Sequence, residues 1–110
     1  MRLATYIEQA ALERVTEAEF MAQITELAEL QGWLVYHTRD SRQSAPGFPD
    51  LVLLRPPYLT FLEVKREKGR VTPEQRQWIG KLKLVRIVQA DIARPHDWPD
   101  IEAALTSRRR

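Results

Sequence analysis

Two carboxylates and an amine stand out by their spacing. Asp50 opens one run of apolar residues, Asp50 to Leu54, and Glu63 and Lys65 close the next, Leu59 to Lys65. Pro56 and Pro57 lie between the runs, and two largely aliphatic runs around such a turn predict a hairpin, or at least neighbouring antiparallel strands. A turn centred between the two prolines puts Asp50 directly opposite Glu63. Opposed Cβ atoms lie roughly 4.5–5.5 Å apart, and two like charges there repel by on the order of 3 kcal/mol at an effective dielectric of 20. A divalent cation between them turns that repulsion into binding energy. Side chains alternate along a strand, so Lys65 shares a face with Glu63, and an acid, an acid and an amine converge. The same residues also fit a plainer arrangement: a Glu63–Lys65 salt bridge on an exposed face, with Asp50 closing a Pro-Asp turn.

The elements around this trio must cover it and hold it. Leu51, Val52, Leu53, Phe61, Leu62 and Val64 are apolar on both strand faces, as in a central hairpin with helices on each side, which puts the charged trio at the end or rim of the sheet. A helix is predicted from Glu17 to Gln31, with Phe20, Ile24, Leu27 and Ala28 at helical spacing, Thr16 as its cap and Gly32 as its stop. Leu3 to Val15 fits a further short helix. Trp33 to Thr38 reads as a strand and Arg39 to Phe48 as a loop. Thr72, Pro73 and Gln75 give a cap, a first-turn proline and a capping-box glutamine that start a helix bearing Trp78, Ile79 and Leu82. One more strand belongs within Leu84 to Ala93, and Asp97 can cap a last helix holding Ile101, Ala104 and Leu105.

Composition narrows the chemistry. The chain has 110 residues, which suits one domain with its own core, here with residues 1–15 as an N-terminal extension and 107–110 as a frayed basic tail. It has no cysteine, so thiolate nucleophiles and sulfur-bound zinc are excluded and oxygen ligands for a hard cation are favoured. No apolar run approaches the roughly 18 residues of a membrane span, and a cytoplasmic location is expected, with no membrane and no small-molecule cofactor. Residues 1–32 hold two basic and six acidic side chains, whereas residues 33–110 hold fifteen basic and nine acidic, a balance that suits a polyanionic partner.

Taken together, Gly47-Phe48-Pro49-Asp50-Leu51, two apolar strands, Glu63-Val64-Lys65 and then Gln75 on a helix resemble the PD-(D/E)xK nuclease superfamily, and within it the VRR-NUC family. The likeness runs from about Glu19 to Leu105 and includes Ser41-Arg42, Arg94-Pro95 and Asp97-Trp98. It implies an α/β fold of the restriction-endonuclease-like kind, a mixed central sheet flanked by helices. It also implies Mg²⁺ or Mn²⁺ held by Asp50, Glu63 and the backbone carbonyl of Val64, with hydrolysis of DNA phosphodiester bonds as the reaction. Lys65 would then orient or help deprotonate the attacking water. Glu19 matches an acid that the superfamily often carries on its first helix as a metal ligand, although the capping box Thr16-x-x-Glu19 accounts for it equally well. Gln75 has the same two readings, a site amide or a cap. Among the loop groups that lead towards Asp50, Arg39, Ser41 and Arg42 are expected to contact DNA, and Arg66, Lys68 and Arg70 to track its backbone. Similar small VRR-NUC proteins look like Holliday-junction resolvases in size, which implies a homodimer and a structure-selective substrate. A nuclease fold that has lost catalysis, serving as a DNA-binding or assembly module, and an adaptor for acidic proteins are the rival functions.

Overall fold

The computed structural model describes residues 3–39 and 44–107. In chain order they form α1 (Leu3–Arg14), α2 (Glu17–Leu30), β1 (Leu34–His37), β2 (Leu51–Arg55), β3 (Tyr58–Val64), α3 (Pro73–Leu82), β4 (Val88–Ala93), a 3₁₀ turn (Pro95–Asp97) and α4 (Trp98–Thr106). The strands lie in the order β1-β2-β3-β4, with β1–β2 and β2–β3 antiparallel and β3–β4 parallel. The sheet is therefore mixed, and β3 sits between an antiparallel and a parallel neighbour. Among the described residues no helix is long and apolar enough to cross a membrane.

Thr16 and Thr72 each close a complete capping box, on Glu19 and Gln75 respectively, so the two helix starts are set by local sequence. Gly32, at φ +85°, ends α2 in the left-handed region. Phe20, Ile24 and Ala28 recur every fourth residue of α2 and are buried against Leu51 and Leu53 of β2, Leu62 and Val64 of β3, Ala93 of β4 and Leu105 of α4. α2 and α4 pack together on this face, while α3 packs on β3 and β4. Trp33 donates its indole N–H to the Leu105 carbonyl at 3.0 Å, and Arg55 lies over the Trp33 ring and donates to the carbonyls of Gln31, Leu105 and Ser107. The ends of α2 and α4 thus find donors from the hairpin region.

Two expectations need correction. Asp97 makes no side-chain cap on α4; its Oδ2 accepts the Arg94 N–H at 2.9 Å and closes the 3₁₀ turn in front of that helix. The charged trio does lie at the end of the sheet, but not on its rim: Glu63 is 2% exposed and Lys65 9%.

The segment before β2 is fastened to α3. Trp78 Nε1 donates to the Pro46 carbonyl at 3.1 Å, and the Phe48 ring meets the edges or faces of Phe61 and Trp78 with centroids 6.2 and 5.0 Å away. Gly47 sits at φ +83°, and a Cβ there would lie 2.4 Å from the carbonyl carbon of Glu74 and 2.7 Å from the amide nitrogen of Gln75. By contrast, a Cβ on Gly32 meets nothing within 4 Å. Gly32→Ala should therefore cost about 1–2 kcal/mol, the left-handed penalty alone, whereas Gly47→Ala should cost about 3 kcal/mol or more because backbone must also move. Urea unfolding of the two variants side by side checks the difference; equal losses would mean that the 44–49 segment is not clamped to α3.

Candidate active site

The hairpin has the register that the turn requires: Leu51 faces Leu62, Val52 faces Phe61, and Arg55 faces Tyr58. One step beyond the Leu51–Leu62 rung, Asp50 and Glu63 come together. The Pro49 carbonyl, which would accept the Val64 amide if the ladder ran on, accepts from the Thr38 hydroxyl, and the Val64 amide, which points to this side of β3, donates to Asp50 Oδ2 at 2.9 Å. The N–H and C=O of one strand residue project to the same side, so the Val64 carbonyl shares the β2 side of β3 with its amide. Thr38 steadies the other flank, with its amide on the Asp50 carbonyl at 2.9 Å and its hydroxyl donating to the Pro49 carbonyl.

Glu63 is the most constrained group of the site. Its carboxyl is pushed up from the usual carboxylate range to about 8, first by burial, then by the charge of Asp50 and by the hydrogen bond its protonated form makes with Asp50; Lys65 opposes the shift and Glu17 adds slightly to it. Lys65 Nζ lies 3.8 Å from Glu63 Oε2. The other oxygen, Oε1, is buried with no hydrogen-bond partner among the described residues. A buried carboxylate oxygen left unpaired beside a second carboxylate is costly for the protein alone and suits a hard cation. The donors fit magnesium or manganese in kind: two carboxylates and a carbonyl, all oxygen. Among the described residues no three acids or histidines gather into a metal cage.

The segment after β3 is held independently. Lys65 N donates to the Ala93 carbonyl at 2.9 Å, and Arg94 Nη1 donates to the carbonyls of Arg66 and Glu67 at 2.8 and 3.0 Å. Glu67, whose side chain is 7% exposed, accepts from the His96 amide at 3.0 Å and meets the His96 ring at 2.9 Å. This clamp fixes the backbone on which Lys65 stands. Pattern reading noticed Arg94-Pro95 but gave Arg94 no task.

These findings match one described sequence family. The VRR-NUC domain profile matches residues 6–89, more than half of the chain. The chain belongs to the VRR-NUC family. The VRR-NUC domain is a PD-(D/E)xK-like nuclease domain, so the mixed sheet flanked by helices is the fold expected of it, and DNA is the substrate class that a nuclease domain implies. The match begins ahead of Glu19, taking in most of α1, and stops short of Arg94 to Trp98. No curated protein and no solved structure matches the chain.

Within the VRR-NUC domain the structure brings Asp50, Glu63, Val64 and Lys65 together. It commits Glu19 and Gln75 to their helix caps: Glu19 Oε1 accepts the Thr16 amide at 2.9 Å, and Gln75 Oε1 accepts the Thr72 amide at 2.9 Å. Glu19 is exposed, and its hydrogen bonds with Thr16 hold its carboxyl below the usual range. Among the acids of α2, Glu17 is the one that adds to the upward shift of Glu63, and sequence reasoning passed over it. The capping box engages Glu19, the third residue of α2, and leaves Glu17 as the first-turn acid not so engaged. Arg66 and Lys68 are tied to α1, the guanidinium to the Glu13 carbonyl at 3.3 Å and the amine to the Glu13 carboxylate at 3.2 Å. Arg39 and Arg70 are exposed, and Ser41 and Arg42 lie outside the described residues.

Because the folded-state Glu63 carboxyl binds its proton more tightly than in the unfolded chain, its stabilising contribution is complete below about pH 4.5 and is lost as pH rises to about 8. In metal-free buffer, stability should fall across that window, and Glu63→Gln should flatten the fall. Magnesium competes with the proton, so its binding should strengthen with pH and release a proton near neutrality. Denaturation curves in EDTA and calorimetry in buffers of different ionisation heat read the two effects; pH-independent magnesium affinity would remove Glu63 from the ligands.

Proposed function

We propose that this VRR-NUC domain is a metal-dependent DNA endonuclease acting on branched, flapped or nicked DNA as a homodimer. One observation carries the reading: the unpartnered, buried Oε1 of Glu63, next to Asp50 and within reach of Lys65, is a cation site without its cation's other ligands. Asp50, Glu63 and the Val64 carbonyl would hold Mg²⁺ or Mn²⁺. When bound there, the ion supplies Lewis acidity towards the attacking water and the phosphoryl oxygens. Lys65 orients that water, helps remove its proton and adds positive charge beside the phosphate. The clamp of Arg94 and Glu67 keeps the amine facing the two acids, and Gly47 with Trp78 keeps Asp50 on station. Glu17, Glu19 and Gln75 line up as supporting candidates, of which Glu17 alone has a charge felt at Glu63. Arg39, Ser41, Arg42 and Arg70 suit phosphate contacts, whereas Arg66 is already bonded to the Glu13 carbonyl and Lys68 shares its charge with the Glu13 carboxylate.

A catalytically silent DNA-binding module is the rival reading. Burial of Glu63 beside Asp50 with Oε1 unpaired speaks against it, since a buried polar oxygen without a partner or a task would cost stability for nothing. Cleavage of linear duplex, single strand, flap and four-way junction in Mg²⁺, Mn²⁺ or EDTA decides between the two. Metal-dependent cleavage is expected, and salt-sensitive binding with no cleavage on any substrate would establish the silent module.

Asp50→Asn should abolish cleavage while the fold persists. Lys65→Ala should remove most cleavage and spare Mg²⁺ binding, because an ammonium is no ligand for a hard cation; calorimetry that shows metal affinity collapsing would reassign the roles. Glu17→Gln should lower cleavage at limiting Mg²⁺. Glu19→Gln, which keeps a capping-box side chain, should change both stability and cleavage little. A magnesium titration in which Glu19→Gln fails and Glu17→Gln is normal would restore the assignment made from resemblance.

A further inference from the structure

From Arg76 to Ile87 the chain carries four basic residues and no acidic one. This stretch runs along α3 and through the turn that joins it to β4. The turn is ordered by backbone hydrogen bonds, Leu84 N to Lys81 O at 3.1 Å, Val85 N to Leu82 O at 3.0 Å and Val88 N to Val85 O at 3.1 Å. Those bonds hold its apolar side chains outward: Leu84 is 81% exposed and Ile87 79%. Lys81 and Arg86 are exposed beside them, and Lys83, also exposed, shares its charge with Asp91 at 3.5 Å. A pair of large aliphatic side chains fixed in water within a collar of cations has no stabilising role in the folded monomer.

Position ties this turn to the site. The first turn of α3 touches the Gly47 segment that leads to Asp50, and the helix, ten residues long, carries the chain about 15 Å away from it. The parallel register agrees: Leu59 pairs with Val88 next to the turn, and Glu63 pairs with Ile92 at the far end. A duplex spans that distance in about four to five base pairs. Two copies of this turn would repel one another through their basic collars, whereas nucleic acid offers phosphates to the collar and base faces to the aliphatic pair.

We propose that Leu84 and Ile87 form a wedge that inserts at an unstacked step of the DNA about four to five base pairs from the bond cut, with Lys81 and Arg86 gripping the flanking phosphates. Unstacking an intact step costs a few kcal/mol, a cost already met where stacking is interrupted, so the turn would favour branched or nicked DNA over continuous duplex. The inference rests on the nuclease reading for its substrate class and uses none of the site residues.

Binding is measured in EDTA, on linear duplex and on a four-way junction with 2-aminopurine at the branch. Leu84→Ser with Ile87→Ser should bind the junction about tenfold more weakly and lose the 2-aminopurine fluorescence rise, with duplex affinity nearly unchanged. Lys81→Gln with Arg86→Gln should weaken binding to both DNAs and lower the slope of log affinity against log salt by about 2. A serine variant with wild-type melting temperature, junction affinity and fluorescence would overturn the wedge. So would loss of binding to phosphatidylserine vesicles with DNA binding intact, which would make the turn a membrane contact. If the wild type and the serine variant differ on the junction as expected but no DNA is cleaved in Mg²⁺ or Mn²⁺, the wedge stands and the nuclease reading falls.

Discussion

The contact on which the site depends is the hydrogen bond from the Val64 amide to Asp50 Oδ2, 2.9 Å long. It stands where the ladder of the hairpin stops, one residue past the Leu51–Leu62 rung. Were the ladder to run on, the Val64 amide would donate to the Pro49 carbonyl, but that carbonyl accepts from the Thr38 hydroxyl, and proline has no N–H with which to complete the rung. The Asp50 carboxylate takes the Val64 donor and is drawn in beside Glu63. The end of the ladder thus places two like charges together at the end of the sheet.

That placement is unfavourable by itself, and several parts of the fold offset it. Lys65 brings a cation to Glu63, and a proton retained up to about pH 8 removes one negative charge when nothing else does. The aromatic packing of Phe48 and Trp78 and the tight seat of Gly47 on α3 hold the Asp50 side of the pair, and the Arg94 and Glu67 clamp holds the Lys65 side. Neither restraint uses the acids themselves. A site restrained from both flanks can keep its carboxylates close in the absence of a cation, which is the preorganisation that metal-assisted hydrolysis needs.

Much of this was legible in the sequence because the signals were local. The Pro56-Pro57 turn with apolar runs on either side fixed the pairing of Asp50 and Glu63, and Thr16 and Thr72 announced the starts of α2 and α3. The start of β4 was not legible: Leu84, Val85 and Ile87 have the composition of a strand, yet they form an exposed turn and the strand begins at Val88. Glu17 was obscured for another reason. Two acids two residues apart on one helix lie on different faces, and likeness to a family favoured the one that the cap already uses. The bonds from Arg66 and Lys68 to Glu13, and the Arg94 clamp, join elements distant in the chain, and no periodicity encodes such pairs.

The geometry also bears on why metal and DNA should act together on the proposed reading. Asp50 spends Oδ2 on the Val64 amide and Glu63 has Oε2 turned towards Lys65, so the pair has about one oxygen each to give, with the Val64 carbonyl as a third. Octahedral magnesium needs six oxygens, and the rest must come from water and from a phosphate of the substrate. Each phosphate oxygen that joined such an ion would strengthen its hold on the site, and by thermodynamic linkage the ion would strengthen the hold on DNA by the same factor. A sparse set of protein ligands would thus couple the two: an ion held by Asp50, Glu63 and the Val64 carbonyl would bind best where a phosphate is present to complete it.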